Sequence, residues 1–335
     1  MPKSLEEYNQ WLAERKLLWP TAPAPVAPKA TPYLKPLPGV RAVTWGVYGT
    51  LLTLAEGRLM FLHPDPLCME VALDKTIHEF NMWNSMSRKP GAPWEYMFYQ
   101  YKRLVEDRQL AASPCPGEAP EVDAARIWEV LIGRLGKKEF SWDESFYGGI
   151  AEFSEKVACF FHAALQGVAA APHALAALQH VKQAGCAQGL VGDGQCFTLV
   201  QLARALARQD DGGTRDAGAE GAGRGGAARG LTKLFARNSV FLSYYFGVRQ
   251  PAASLFEASL ARLAKAGVAP AEVLHIAPRL KAELAPAKKL GMRTALYAGD
   301  AASLAATADE VHDPELRPDR ILTDLKQIRQ IIRID

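Results

Sequence analysis

RAVTWGVYGTLLT, residues 41–53, is the most informative stretch of this 335-residue chain. Ala42 to Trp45 form a short apolar run that suits a buried strand. Gly49-Thr50 then turn the chain, and Leu51-Leu52 lead away. Between strand and turn stand Gly46, Val47 and Tyr48. Position 46, directly after the strand, carries no side chain with which to attack anything.

Downstream of this stretch the pattern divides in two. From residue 60 to about 166 apolar residues recur at helical spacing: Leu73, Ile77 and Phe80; Met97, Tyr101 and Leu104; Ile127, Val130 and Leu131; then Ile150, Phe153, Val157, Phe160, Phe161 and Ala164. Such stripes read as the core of a helix bundle. After that, helices and strands alternate. Helices are expected over Pro172 to Ala184, Phe197 to Arg208, Ala252 to Ala266 and around Pro286 to Leu290. Strands are expected over Cys186 to Val191, Ser239 to Ser243, Val273 to Ala277 and Thr294 to Ala298. Alternation of this kind predicts an α/β fold, a doubly wound parallel sheet with helices on both faces. Residues 209–230 hold eight glycines and no large apolar residue, and read as a flexible loop.

Upstream, residues 4–18 read as a short helix, opened by a Ser4–Glu7 capping box and carrying Leu5, Tyr8 and Leu12 at helical spacing. Seven prolines between Pro20 and Pro38 then favour an extended tether, read as a tail wrapped on the core rather than a docking arm.

The 41–53 stretch resembles motif I of the haloacid-dehalogenase (HAD) superfamily, an apolar strand followed by D-x-D/Y-G-T-L. Tyr48, Gly49, Thr50 and Leu51 match, Trp45 suits the aromatic before the nucleophile, and the nucleophilic aspartate falls on Gly46. The resemblance extends over most of residues 40–330. Motif II, a strand ending in Ser or Thr, reads Gly189-Leu190-Val191-Gly192-Asp193-Gly194-Gln195, with Gly192 at the hydroxyl position. Motif III, G-V-R-K-P, reads Gly247-Val248-Arg249-Gln250-Pro251, with Gln250 for the lysine. A neutral amide still donates a hydrogen bond but brings no charge. In motif IV, Pro278 takes the first acidic position and Glu283 the second.

The resemblance implies a Rossmann-like core over 40–59 and 167–335, a C1-type helical cap over 60–166, and an N-terminal helix and tether over 1–39. It implies that Gly46–Thr50, Gly192–Gln195, Arg249–Pro251 and Ala277–Arg279 converge outside the carboxyl ends of the strands. It also implies Mg²⁺, yet the carboxylates that would hold it are reduced to Glu283, and no cofactor is expected. The positions Gly46, Tyr48, Gly192, Gln250 and Pro278 depart from a working site. Thr50, Asp193, Gln195, Arg249, Arg279 and Glu283 remain as residual cleft residues, with Arg249, Arg279 and Lys281 able to hold an anion. Asp193 reads as an exposed loop carboxylate, His275 as a buried core histidine, and Cys196 as a cleft thiol without a partner histidine.

Two functions compete. One is a protein that has lost phosphohydrolase or dehalogenase chemistry and binds or scaffolds, its partner a small anionic ligand or another protein. The other is an atypical hydrolase of a small phosphate ester or halo-acid. A purely structural, self-assembling role has no oligomerisation signature behind it.

The bulk composition is ordinary for a globular domain: 49% apolar, 22% charged, net charge +3. No nucleic-acid partner is expected from so small a charge without basic clustering. No apolar run reaches membrane-spanning length, and MPKSLEEYNQW is not a signal peptide. Five scattered cysteines with no C-x-x-C pair suit reduced core residues in a cytoplasm.

Overall fold

The computed structural model describes residues 1–15, 17–86, 91–210, 231, 234–235 and 238–334. Ala42–Trp45 is the first strand, β1, and all four of its residues are buried. The strands that follow are β2 (Leu52–Leu54), β3 (Ala119–Pro120), β4 (Val168–Ala170), β5 (Ala187–Gly192), β6 (Val240–Leu242), β7 (Val248–Arg249), β8 (Val273–Ala277), β9 (Arg293–Tyr297) and β10 (Arg320–Leu322). Six of them form one parallel sheet in the order β10-β9-β8-β1-β5-β6. Ala42 lies opposite both Ala187 and Val273, so β1 is held on each side by a strand in matching register.

Alternate residues of these strands enter opposite layers, as the pleat requires. Val43, Trp45, Leu190, Leu274 and Ile276 join one apolar cluster with Leu178, Leu206 and Ile328. Ala42, Val191 and Val273 join another with Leu255, Phe256 and Met292. Helices therefore cover both faces, and the central strands read as near-continuous apolar runs because neither face meets water. The polar atom of buried Trp45 is satisfied within the sheet, its Nε1–H donating to Gln188 Oε1 at 3.1 Å.

Between β2 and β4 the chain runs through helices Pro66–Glu79, Pro93–Gln109, Ala124–Gly136, Glu144–Tyr147 and Ile150–Leu165. Their stripes meet in a separate core rich in rings. Phe161 lies 4.9 Å from Tyr101 and 5.3 Å from Trp128, and Phe80 lies 5.4 Å from Phe153. The N-terminal helix, Leu5–Glu14, starts at a Ser4–Glu7 capping box and adds Tyr8 and Leu12 to this same core. It ends short of the expected residue 18, at a C-cap on Arg15.

The proline-rich segment then lies along the sheet layer. Val26 N–H donates to Asp300 Oδ1 at 3.1 Å, Arg320 donates to Lys35 O and Pro36 O, and Leu37 N–H donates to Ile331 O at 2.9 Å. The tail is wrapped on the core, as its composition suggested. The proline density of this stretch argues against sheet pairing, yet Tyr33 bridges Ile321 of the edge strand β10 in antiparallel fashion.

Other boundaries move by a residue or two, with physical reasons. The helix expected over 197–208 is Thr198–Asp210, prolonged because Gln209 is anchored to Ala171 O and Leu175 N. Residues 211–230 of the expected glycine-rich loop lie outside the described residues. The strand expected to end at Ser243 stops at Leu242, where a short helix, Ser243–Phe246, begins. Ahead of the helix Ala285–Lys289 stands a π-turn, Leu280–Leu284, that no periodicity announced.

Candidate functional site

Gly46 carries the ladder one step past β1, its N–H donating to Ile276 O at 2.9 Å. Val47 O then accepts from the N–H groups of Leu51 and Leu52 at 2.9 Å each, which closes a tight turn. A Cβ placed on Gly46 would lie 2.8 Å from Thr50 Oγ1, 3.5 Å from Ala277 Cβ and 3.6 Å from Glu283 Oε1. One placed on Gly192 would lie 3.9 Å from both Gln250 Oε1 and Gly46 Cα. The four motif-like loops thus meet, at the carboxyl ends of β1, β5 and β8 and just after β7. From β1 the strands are added outward as β5 and β6 on one side and as β8, β9 and β10 on the other, so the strand order reverses between β1 and β8, the switch point at which such sheets take ligands.

Three polar atoms around the two glycines have no hydrogen-bond partner: Thr50 Oγ1, and Nε2 and Oε1 of Gln250. Thr50 is fully buried and Gln250 is 9% exposed. Gln250 is held by its backbone instead, its N–H donating to Asp193 Oδ1 at 2.8 Å. Asp193 is accordingly half-buried and engaged, not the exposed loop carboxylate expected from its sequence context.

Arg279 and Glu283 form an internal ion pair. Glu283, 2% exposed, accepts from Arg279 N–H at 3.0 Å through Oε2 and from Arg279 Nη1 at 3.1 Å through Oε1. The same guanidinium donates to Gly57 O through Nη2 and makes a long contact with Tyr48 O, 3.5 Å from Nη1. Arg279 is thereby committed to the protein's own oxygens, which corrects the expectation that it is free to hold an anion. Lys281 is likewise paired, to Glu310 at 2.6 Å.

Two further residues of the expected cleft are turned to other tasks. Gln195 is buried with its whole amide engaged, accepting from Ala124 N–H at 2.8 Å and donating to Val122 O at 2.9 Å, so it pins the inserted helices to the sheet. Tyr48 directs its hydroxyl to Thr198 Oγ1 at 2.9 Å and Gln201 Oε1 at 2.8 Å. His275 is a core histidine on Thr44, 3.0 Å from its Oγ1. Burial pushes the Cys196 thiol well up, the reverse of what a nucleophile needs.

Glu121 was not foreseen. It arrives through a long-range pairing, β3 against β7, with its N–H donating to Gly247 O at 2.9 Å. Burial and then the charge of Asp193 push its carboxyl up to about 7, against the Ser243 hydroxyl, the Val122 N–H and Arg249, which act to lower it. Burial, with Asp193 adding to it and Arg279 opposing, likewise pushes Glu283 up to about 7. Three carboxyls and two guanidiniums therefore share one electrostatic neighbourhood.

The Glu121 shift has a definite sign. The folded protein holds this proton more tightly than the unfolded chain, so stability falls as pH rises from the ordinary carboxylate range to about 7 and then levels. Two and a half units would be worth roughly 3 kcal/mol, and partial exposure reduces this to about 1–2 kcal/mol. Glu121→Gln is expected to match wild type near pH 4.5 and to exceed it by that amount at pH 8, read from urea midpoints. Equal midpoints at pH 8 would show that folding does not tighten the hold of this carboxyl on its proton.

Mg²⁺ does not fit these residues. Gly46 and Pro278 offer no side-chain ligand, and both oxygens of Glu283 already accept from Arg279. Among the described residues no group of three or more His, Cys, Asp and Glu could hold a metal ion, and no helix is long and apolar enough to cross a membrane. Two cavities, of about 550 and 330 Å³, lie elsewhere, the first beside β4 and His173, the second between Tyr96 and Lys138.

No family model matches the chain, and no curated protein matches it. Solved structures do. A 2-haloacid dehalogenase from Pseudomonas syringae pv. tomato DC3000 is 17% identical, with 87% of this chain and 97% of that one covered and a TM-score of 0.49. A HAD phosphatase from Thermococcus onnurineus is 16% identical, with 88% and 99% covered and a TM-score of 0.43. L-2-haloacid dehalogenase from Xanthobacter autotrophicus, with chloropropionic acid covalently bound, is 17% identical, with 88% and 98% covered and a TM-score of 0.40.

Proposed function

We propose that this HAD-like chain has lost covalent hydrolase chemistry and uses the cleft at the β1–β8 switch point to bind a small polar molecule. The observation that carries this reading is the set of unpaired polar atoms, Thr50 Oγ1 and the Gln250 amide, gathered around Gly46 and Gly192. A buried polar atom without a partner costs about 1–3 kcal/mol. A guest that pairs with these atoms removes that cost. The charges describe the guest. Arg249 and Arg279 stand against Asp193, Glu121 and Glu283, and the expected lysine is the neutral Gln250. With Arg279 committed to Glu283 and the lysine's place taken by a neutral amide, an uncharged hydroxyl- or amide-bearing molecule suits Thr50 and Gln250 better than a phosphate dianion does. The helices between Pro66 and Leu165 would act as its cap.

Thr50→Val tests this reading. Removing an unpaired buried hydroxyl is expected to stabilise the ligand-free protein by about 1 kcal/mol. Small polar fragments detected by ligand-observed NMR with wild type should lose their signal with Thr50→Val and with Gln250→Leu. Destabilisation by Thr50→Val, together with unaltered fragment binding, would remove the site.

The alternative, an atypical hydrolase, draws support from one feature. Glu121 and Glu283 are carboxyls pushed up to about 7, a range that suits general acid–base work. Its weakness is the lack of an attacking atom: Glu283 is the carboxylate nearest Gly46 in the site, and both its oxygens are spent on Arg279.

A further inference from the structure

The oxygens around Arg279 resemble a cation site in composition. They are a carboxylate, Glu283, and two backbone carbonyls, Tyr48 O and Gly57 O, gathered from the motif I turn, the segment after β2 and the π-turn after β8. Hard oxygens of this kind are what a divalent cation selects. They face no metal-ligating side chain from position 46 or 278, since those are Gly and Pro. The positive charge in their midst is a guanidinium from the residue next to Pro278. A planar fork with five donors can serve a carboxylate and two carbonyls at once, which an ammonium could not do in one plane.

We propose that Arg279 is the resident cation of this cleft, held in the oxygen cage where the HAD resemblance would seat Mg²⁺, so that the site works without a divalent metal. The charge is then built into the chain, and its position does not depend on metal supply. One end of the guanidinium is tied to the β1 turn and the other to the residues after β2. Arg279 therefore acts as a positioning residue: it fixes the turn that carries Gly46 and Thr50 against the π-turn that carries Glu283. The inference rests on the proposed reading of the cleft as a binding site. Its test is separate, since a metal titration reports on the cation position whether or not a guest is found.

The experiment uses the full chain. Isothermal titration of wild type with Mg²⁺ and with Ca²⁺ should give no saturable heat, and neither ion should move its melting temperature. Arg279→Ala exposes Glu283 and the two carbonyls without a cation. Its melting temperature should fall, and millimolar Mg²⁺ should raise it again, as should methylguanidinium. Neither additive should stabilise the Arg279→Ala, Glu283→Gln double variant, which lacks the anionic oxygen. Should Arg279→Ala fail to fold, Arg279→Lys keeps the charge and loses the fork, and should melt lower than wild type with no gain from Mg²⁺. Sub-millimolar, one-to-one Mg²⁺ binding by wild type, lost in Glu283→Gln, would overturn the proposal. So would a folded Arg279→Ala that melts like wild type, or one that is blind to Mg²⁺ and methylguanidinium.

Discussion

Purified protein is expected to leave p-nitrophenyl phosphate and 2-chloropropionate unchanged, at rates indistinguishable from a Glu121, Asp193 and Glu283 triple variant. Covalent hydrolysis of either bond needs a carboxylate that attacks, a cation that steadies the developing charge, and for phosphate a metal. At position 46 there is no atom beyond Cα. The carboxylates nearby are held: Glu283 by Arg279, and Asp193 by the Gln250 N–H. Loss of a nucleophile alone removes roughly 10⁴ to 10⁶ in rate by analogy with triad knockouts. Turnover of either substrate well above the triple variant would be decisive against the reading and would point to one of these three carboxyls as the attacking group.

Gly46→Asp is expected not to restore activity. Its Cβ would press on Thr50 Oγ1 at 2.8 Å, and Glu283 Oε1 would lie 3.6 Å from that Cβ. The new carboxylate would thus stand beside an existing one, with Arg279 as the shared counter-charge. Two carboxylates in one partly dry site do not both ionise easily, and one is driven to hold its proton. A protonated acid is a poor nucleophile. Activity in Gly46→Asp comparable to a dehalogenase would mean that the rest of the machinery is intact after all.

How much of this was readable beforehand differs from place to place. VLHIA was readable to the residue, because Val273, Leu274, Ile276 and Ala277 make a short apolar run that Pro278 stops, and β8 is Val273–Ala277. The edge strand β10 escaped, since three residues with an arginine at their head carry no periodicity. It is fixed by partners distant in sequence, β9 on one side and Tyr33 on the other. The meeting of the motif loops was readable from their order at strand ends. The commitment of Arg279 was half visible, since Arg279 and Glu283 stand four apart, but its reach to Gly57 depends on the turn after β2. Glu121 had no local signal at all; a strand pair bridging some 130 residues of sequence brings it in.

The N-terminal helix offers the second large effect. Tyr8 is fully buried, with its ring 5.7 Å from Trp11 and 6.0 Å from Tyr147, inside the core of the inserted helices. Its hydroxyl has no partner. Two changes at this one position are therefore expected to act in opposite directions. Tyr8→Ala removes an aromatic side chain from a packed core and should cost about 3–5 kcal/mol. Tyr8→Phe keeps the ring and deletes an unpaired buried polar atom, and should stabilise the fold by about 1 kcal/mol. Urea midpoints of the two variants and wild type provide the measurement, with limited proteolysis as a second reading. Undocking of the helix should open the bonds after residue 4 to cleavage in Tyr8→Ala and leave them closed in Tyr8→Phe. A Tyr8→Ala variant as stable as wild type would show that the helix does not contribute to the core. The segment that follows passes Gly167, where an added Cβ would meet the Thr21–Ala22 backbone at 2.3–2.4 Å, and continues along the sheet to Tyr33. The tail thus joins the two apolar cores, and the loss at Tyr8 should loosen the inserted helices before it loosens the sheet.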